Sequence, residues 1–129
     1  MRKHLVAVLT VLAAFTAACG TGGAPVDEPA EPAVGDDNGT VEIDVVMGDI
    51  FYQPTGAAVP AGSTVVVNAN NEGAIEHDFE LEDGQGLGMV QPGESTSGEL
   101  GPFEESTLAY CTVPGHREAG MEFEITVTD

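Results

Sequence analysis

The chain has 129 residues, of which 22 are acidic and 3 are basic, and its formal charge is −19. This length supports a single domain, and a hydrophobic content of 42% is enough for a modest core. The acidity excludes nucleic acid and anionic membrane surfaces as direct partners, because phosphate binding needs clustered Lys and Arg. The chain contains two cysteines, which excludes a disulfide-dense scaffold and any four-cysteine zinc or iron–sulfur site.

Residues 1–18 have the pattern of an export signal peptide. Arg2 and Lys3 form a positively charged N-terminal region. The apolar run over 5–18 is shorter than the roughly 20 residues that span a membrane. The run Thr16-Ala17-Ala18-Cys19 is similar to the cleavage box of bacterial lipoproteins, in which the cysteine becomes the acylated first residue. We therefore expect lipid attachment at Cys19. The alternative is an ordinary secretory signal with an unmodified cysteine.

Residues 19–39 have the composition of a disordered linker. The stretch over 20–39 contains five glycines, three prolines and five acids. Such a segment cannot bury enough apolar surface to offset its chain entropy. Behind a lipidated cysteine it would act as a tether and hold a domain roughly 25 Å from the anchor.

From residue 40 onward, apolar and polar residues alternate with a period of two, which predicts strands with one buried and one exposed face. These alternations and one β-branched run cover residues 41–47, 63–69, 79–82 and 121–128. A further strand is predicted over Thr107–Cys111. Turn signals rich in Gly, Pro, Asn and Asp separate the segments, and none has helical periodicity over three turns. The pattern predicts an all-β sandwich over residues 40–129.

The potential metal ligands of this domain are concentrated in one segment. Cys111, His116 and Met121 have the spacing Cys-x4-His-x4-Met and lie between two predicted strands, so a hairpin loop can direct them toward one point. His77 has the same strand parity as Phe79 and can reach the same end of the sandwich. Two imidazoles, a thiolate and a thioether are the ligands of a blue-copper site. Zinc is the main competitor, although it gains little from methionine.

The segment Tyr110–Met121, with His77 34 residues before the cysteine, resembles the copper loop of the cupredoxins, the plastocyanin–azurin family. Its ligand spacing is similar to that of rusticyanin and sulfocyanin, and residues 51–54 and 62–68 also resemble strands of the family. The resemblance implies a Greek-key β-sandwich over 40–129 and one type 1 copper that alternates between Cu(I) and Cu(II). The ligands that it implies are His77, Cys111, His116 and Met121.

Asp78 follows the first of these histidines, at a position where plastocyanin and azurin usually have Asn. We expect Asp78 to accept a hydrogen bond from Thr112, the neighbour of the ligand cysteine. Its negative charge near the thiolate should favour Cu(II) and lower the redox potential. His116 should be the partly exposed ligand and the port for electrons.

The resemblance implies one-electron transfer without substrate turnover. We expect a monomeric carrier, lipid-anchored on the outer face of the cytoplasmic membrane, with redox proteins as its donor and acceptor. Residues 40–129 contain 17 acids and a single basic residue, Arg117, so a docking partner should be basic. The alternative function is copper storage or delivery with the same ligands. A copper-free structural domain, with Cys111 as an inert thiol or a disulfide partner of Cys19, is a third reading.

Enzymatic copper centres of two kinds do not fit the sequence. A binuclear centre needs two bridging cysteines in the loop, and a multicopper oxidase needs more histidines than His77 and His116. The domain also lacks a recognisable nucleophile–base pair, so we expect no enzymatic activity.

Overall fold

The alternating segments form strands in a computed structural model that describes residues 39–129. The eight strands are β1 (Thr40–Gly48), β2 (Phe51–Gln53), β3 (Gly56–Pro60), β4 (Ser63–Asn71), β5 (Glu80–Leu81), β6 (Ser95–Phe103), β7 (Thr107–Tyr110) and β8 (Glu122–Thr128). They build two four-stranded sheets, with the orders β2-β1-β4-β6 and β3-β8-β7-β5. The predicted all-β sandwich is confirmed. The signal peptide over 1–18, the linker up to residue 38 and Cys19 lie outside the described residues.

Both sheets combine parallel and antiparallel neighbours. Strand β1 runs parallel to β4, and β3 runs parallel to β8, whereas the pairs β1–β2, β4–β6, β5–β7 and β7–β8 are antiparallel. Between β2 and β7 every connection takes the chain from one sheet to the other. Such crossing connections are those of the Greek-key sandwich that the sequence resemblance implies.

The core lies between the two sheets and follows the alternation of the strands. Along β4, buried side chains occupy every second position from Ser63 to Asn71. Three buried aromatic rings, those of Tyr52, Phe79 and Phe123, pack together within the core. Phe79 packs edge-on against Tyr52 and Phe123, and both centroid distances are 5.3 Å. Phe79 and Phe123 each lie two residues after a predicted ligand, so this cluster supports the end of the sandwich where those ligands lie.

Three parts of the sheet arrangement differ from the sequence expectation. Strands β3 and β6 were not anticipated, and the predicted strand around Phe79 is reduced to the two residues of β5. His77 lies before β5 and forms an isolated antiparallel bridge with Val90. Within residues 39–129, no helix has the length and apolar character needed to cross a membrane.

Candidate metal centre

The segment between β7 and β8 is a closed loop whose two ends are hydrogen-bonded to each other. Tyr110 lies opposite Glu122 in the antiparallel ladder, and the Cys111 amide donates to the Met121 carbonyl at 3.2 Å. Met121 in turn donates its amide to the His116 carbonyl at 3.0 Å. The loop turns at Gly115, whose φ of 86° lies in the left-handed region that glycine tolerates without strain. The backbone therefore holds all three predicted ligands of the loop close together.

Three of the predicted ligands meet at one buried point. The ligand atoms of His77, Cys111 and His116 all lie within 4.8 Å of one another. The Cys111 sulfur is 3.8 Å from Nδ1 of His77 and 3.5 Å from Nδ1 of His116. Both histidines thus direct the same ring nitrogen toward the sulfur. His116 is the most exposed of the three, although only 7% of it is accessible to solvent.

Met121 is fully buried beside this cluster. Its backbone hydrogen bonds to His116 and Cys111 place it directly next to two of the three converging residues. Its thioether is the only soft donor besides the thiol among the four residues that the sequence singles out. The complete set, with two imidazoles, a thiol and a thioether, fits the chemistry of a type 1 copper site.

Asp78 connects the segment of His77 to that of Cys111. Its Oδ1 accepts a hydrogen bond from the Thr112 amide at 2.7 Å, and its Oδ2 accepts one from the Thr112 hydroxyl. Asp78 is buried, and its own carbonyl accepts a hydrogen bond from the Tyr52 hydroxyl. The contact expected between Asp78 and Thr112 is therefore present, and it fixes the residue that follows the cysteine.

We predict that Asp78→Asn raises the redox potential of the copper-loaded protein. The amide can still accept from the Thr112 amide, but the negative charge near the Cys111 sulfur is lost, which removes a preference for Cu(II). The expected rise is on the order of 60 mV, equivalent to about 1.4 kcal/mol for one electron. Protein-film voltammetry measures it, and Thr112→Val, which keeps the carboxylate, serves as the control. An unchanged or lower potential in Asp78→Asn would contradict this role.

The Cys111 thiol is harder to ionise than an ordinary cysteine. Burial is the main cause of its raised pKa, and the nearby charge of Asp78 raises it further. Two backbone hydrogen bonds oppose the shift without cancelling it. At neutral pH the metal-free protein therefore keeps a proton on this sulfur, whereas a metal ligand must be the thiolate.

Copper(II) affinity should consequently increase about tenfold per pH unit between about pH 7 and 8.5, because each bound metal displaces the thiol proton. The affinity increases with pH because the raised pKa of Cys111 keeps the proton that copper must displace on the sulfur throughout this pH window. Competition titrations against a chelator of known affinity measure the slope. The slope should disappear in Cys111→Ser, and a flat profile in the unaltered protein would show that the thiol is already ionised.

Arg117, the only basic side chain among the described residues, anchors the loop to three neighbouring segments. Its guanidinium lies 4.1 Å from the centroid of the Tyr110 ring, on β7. It also pairs with Glu122 of β8 at 3.1 Å and with Glu82, beyond β5, at 2.8 Å. Each partly exposed ion pair contributes little stability by itself. Together the contacts fix the position of the residue that follows His116.

One residue at the centre was missed in the sequence analysis. Asp49, in the turn between β1 and β2, has its Oδ1 3.4 Å from Nε2 of His77. The same oxygen accepts a hydrogen bond from the Ala74 amide at 2.8 Å, and this bond is the main cause of the lowered pKa of Asp49. In the sequence, Asp49 is indistinguishable from any acidic residue in a turn, so no local pattern identifies it.

At the level of sequence, the chain is similar to a copper protein. No protein-family model matches the chain. A copper-resistant cuproprotein, CopI of Pseudomonas aeruginosa, is 24% identical over an alignment that covers 66% of this chain and 75% of that protein.

Among solved structures, the reduced auracyanin of Roseiflexus castenholzii aligns with a TM-score of 0.59 and 21% identity, covering 68% of this chain and 97% of that one. Auracyanin A of Chloroflexus aurantiacus, a blue copper protein, aligns with a TM-score of 0.60 and 20% identity over 69% and 99% of the two chains. A multicopper oxidase aligns at 0.58 and 19% identity over 68% of this chain but only 42% of its own. The described part of the chain therefore has the cupredoxin fold.

Proposed function

We propose that this protein is a type 1 copper protein that carries single electrons. The observation that supports the proposal most directly is the convergence of one sulfur and two Nδ1 atoms in a buried cluster within 4.8 Å. Within residues 39–129, no carboxylate belongs to this cluster: Asp78 is engaged by Thr112, and Asp49 faces the other ring nitrogen of His77, Nε2. A set of soft sulfur and imidazole donors without an oxygen donor favours copper over magnesium, calcium or manganese.

When bound, copper would supply a one-electron couple between Cu(I) and Cu(II). Cys111 and Met121 offer the sulfur ligands that suit Cu(I), and the two histidines offer nitrogen that suits both states. The hydrogen bonds that close the loop and join it to Asp78 hold these side chains in place, so the ligands need little rearrangement when an electron arrives or leaves. His116 is the most exposed ligand and is the proposed port for electrons.

We further propose that the partners are redox proteins with basic docking surfaces and that the carrier itself is monomeric. Residues 40–129 have a formal charge of −16, and the single cation, Arg117, is already paired with two glutamates. An acidic surface of this kind accelerates association with a basic partner and makes the rate sensitive to salt. Export, with lipid attachment at Cys19 on the outer face of the cytoplasmic membrane, is proposed from the N-terminal sequence alone.

Copper storage or delivery is the second candidate function. The relative CopI, described as a copper-resistant cuproprotein, favours this reading. A storage or delivery protein would use the same ligands, but it would release Cu(I) to an acceptor. An electron carrier retains its metal through repeated oxidation and reduction.

The test is an absorption and electron-spin-resonance study of the purified protein after the addition of one equivalent of Cu(II). A type 1 site should give an intense visible thiolate-to-copper band that is lost on reduction and fully regained on reoxidation. A colourless protein with an ordinary tetragonal copper signal would overturn the type 1 assignment. Loss of the metal to a Cu(I) chelator during the cycle would favour storage or delivery over electron transfer.

A further inference from the structure

His77 is fully buried, and its two ring nitrogens face different groups. Nδ1 faces the Cys111 sulfur at 3.8 Å, while Nε2 lies 3.4 Å from Oδ1 of Asp49. A neutral imidazole has one protonated nitrogen and one with a free lone pair. If Nδ1 is to bind a metal, the proton must be on Nε2, which is the nitrogen that faces the carboxylate.

The segment opposite Asp49 is shaped to admit this carboxylate. The Ala74 amide donates to Asp49 Oδ1 at 2.8 Å, and the preceding residue, Gly73, has no side chain that could block it. A Cβ atom at Gly73 would lie 2.4 Å from Asp49 Oδ1 and 3.0 Å from His77 Nε2. Asn71 Oδ1 accepts a hydrogen bond from the Gly73 amide at 2.9 Å and so fixes this backbone. Space and hydrogen bonds thus both direct the carboxylate to the ring.

The turn that holds Asp49 is strained. Ile50, the next residue, has a φ of 69°, in the left-handed region that β-branched side chains rarely adopt. Ile50 is 41% accessible to solvent, so burial of the isoleucine in the core does not explain the conformation. Strain of this kind persists where surrounding contacts hold the backbone, and it is concentrated at functional sites. Here the pairing of Gly48 with Phe51 closes the turn, and the contacts of Asp49 with Ala74 and His77 add to it.

We propose that Asp49 is a positioning residue for His77: it accepts a hydrogen bond from the Nε2–H group, fixes the ring tautomer with its Nδ1 lone pair toward Cys111, and increases the donor strength of the imidazole. Carboxylates that accept a hydrogen bond from a ligand histidine act in this way on bound metals. The part of the inference that concerns metal affinity depends on the proposed copper function. The part that concerns the tautomer applies to the metal-free protein.

The test compares Asp49→Asn and Asp49→Ala with Glu42→Gln, a charge-matched control at an exposed position of β1. Nitrogen-15 NMR of the metal-free protein reports which ring nitrogen of His77 carries the proton. The unaltered protein and Glu42→Gln should show the Nε2-protonated form alone. Asp49→Ala should show a mixture of tautomers, and Asp49→Asn, which retains an acceptor oxygen, should be intermediate.

Chelator competition with Cu(II) and Cu(I) gives the second readout. Asp49→Ala should weaken Cu(II) binding roughly 10–100-fold, with a smaller loss for Cu(I), and Asp49→Asn should lose less. If both variants keep the Nε2-protonated ring and the Cu(II) affinity of Glu42→Gln, the role of Asp49 is overturned. If the unaltered protein forms no blue centre, the proposed function fails, and the tautomer comparison still decides the role of Asp49. Should Asp49→Ala not fold, Asp49→Asn decides it by the same two readouts.

Discussion

Cys111→Ser should abolish the intense visible band of the copper-loaded protein and weaken Cu(II) binding by more than about 100-fold. Removing a residue that only supports a ligand costs less than this. Serine has nearly the same size, so it preserves the packing of this buried position and the hydrogen bond from the residue's amide to the Met121 carbonyl. It offers a hydroxyl in place of the thiolate, and both the soft sulfur ligand and the origin of the charge-transfer band are lost. Absorption after stoichiometric addition of Cu(II), together with chelator competition, measures both effects.

The second cysteine of the chain provides a matched control. Cys19→Ser makes the same chemical change at the predicted lipid-attachment position, outside the described residues. This variant should keep the full band and the full copper affinity. A band that survives in Cys111→Ser, or that disappears in Cys19→Ser, would contradict the assignment of the sulfur ligand.

Phe79→Ala should lower the free energy of unfolding by about 3–5 kcal/mol. The ring is completely inaccessible to solvent and is packed edge-on between Tyr52 and Phe123, so its removal leaves a cavity between the sheets. Domains of this size are stable by only about 5–15 kcal/mol, and the variant should unfold at a much lower denaturant concentration. Denaturant unfolding of the metal-free protein is the appropriate measurement, because a bound metal adds stability of its own.

Phe51→Ala is the corresponding control for an exposed ring. Phe51 is 47% accessible on the short strand β2, so the same substitution should cost less than about 1 kcal/mol. Equal losses in the two variants would show that the aromatic cluster does not form the centre of the core.

The sequence predicted the strands in which every second residue is apolar. In β1 the alternation from Val41 to Met47 coincides with side chains that face the core, and β8 follows the same rule from Phe123 to Ile125. The loop between β7 and β8 was also predictable, because the spacing of its potential ligands is local. A pattern within a few residues is sufficient for both inferences.

Strand β6 could not be found in the same way. Its residues, Ser95–Phe103, are mostly small or polar, and only Leu100 and Phe103 are buried. It lies at the edge of its sheet, next to β4, and because only two of its side chains are buried and apolar, no alternation of apolar and polar residues marks it. Tertiary pairing with β4 defines this strand, and local propensity does not.

The surroundings of His77 were predicted only in part. Strand parity places His77 and Phe79 inside, but Asp78 is also buried, because the hydrogen bonds from Thr112 draw its carboxylate inward. The approach of Asp49 to His77 joins residues that are 28 positions apart. It depends on how the β1–β2 turn meets the segment after β4, and no periodicity encodes that meeting.

The burial of Cys111 has a consequence for the protein before it acquires metal. Only 1% of the residue is accessible to solvent, and its raised pKa keeps the sulfur protonated. The thiolate is the form of cysteine that reacts with oxidants and disulfides, and the reaction also needs access to the sulfur. Oxidation and disulfide formation are therefore both slow at this position. Outside the reducing cytoplasm, where exposed thiols are readily oxidised, the folded metal-free chain can therefore keep its cysteine reduced until copper arrives.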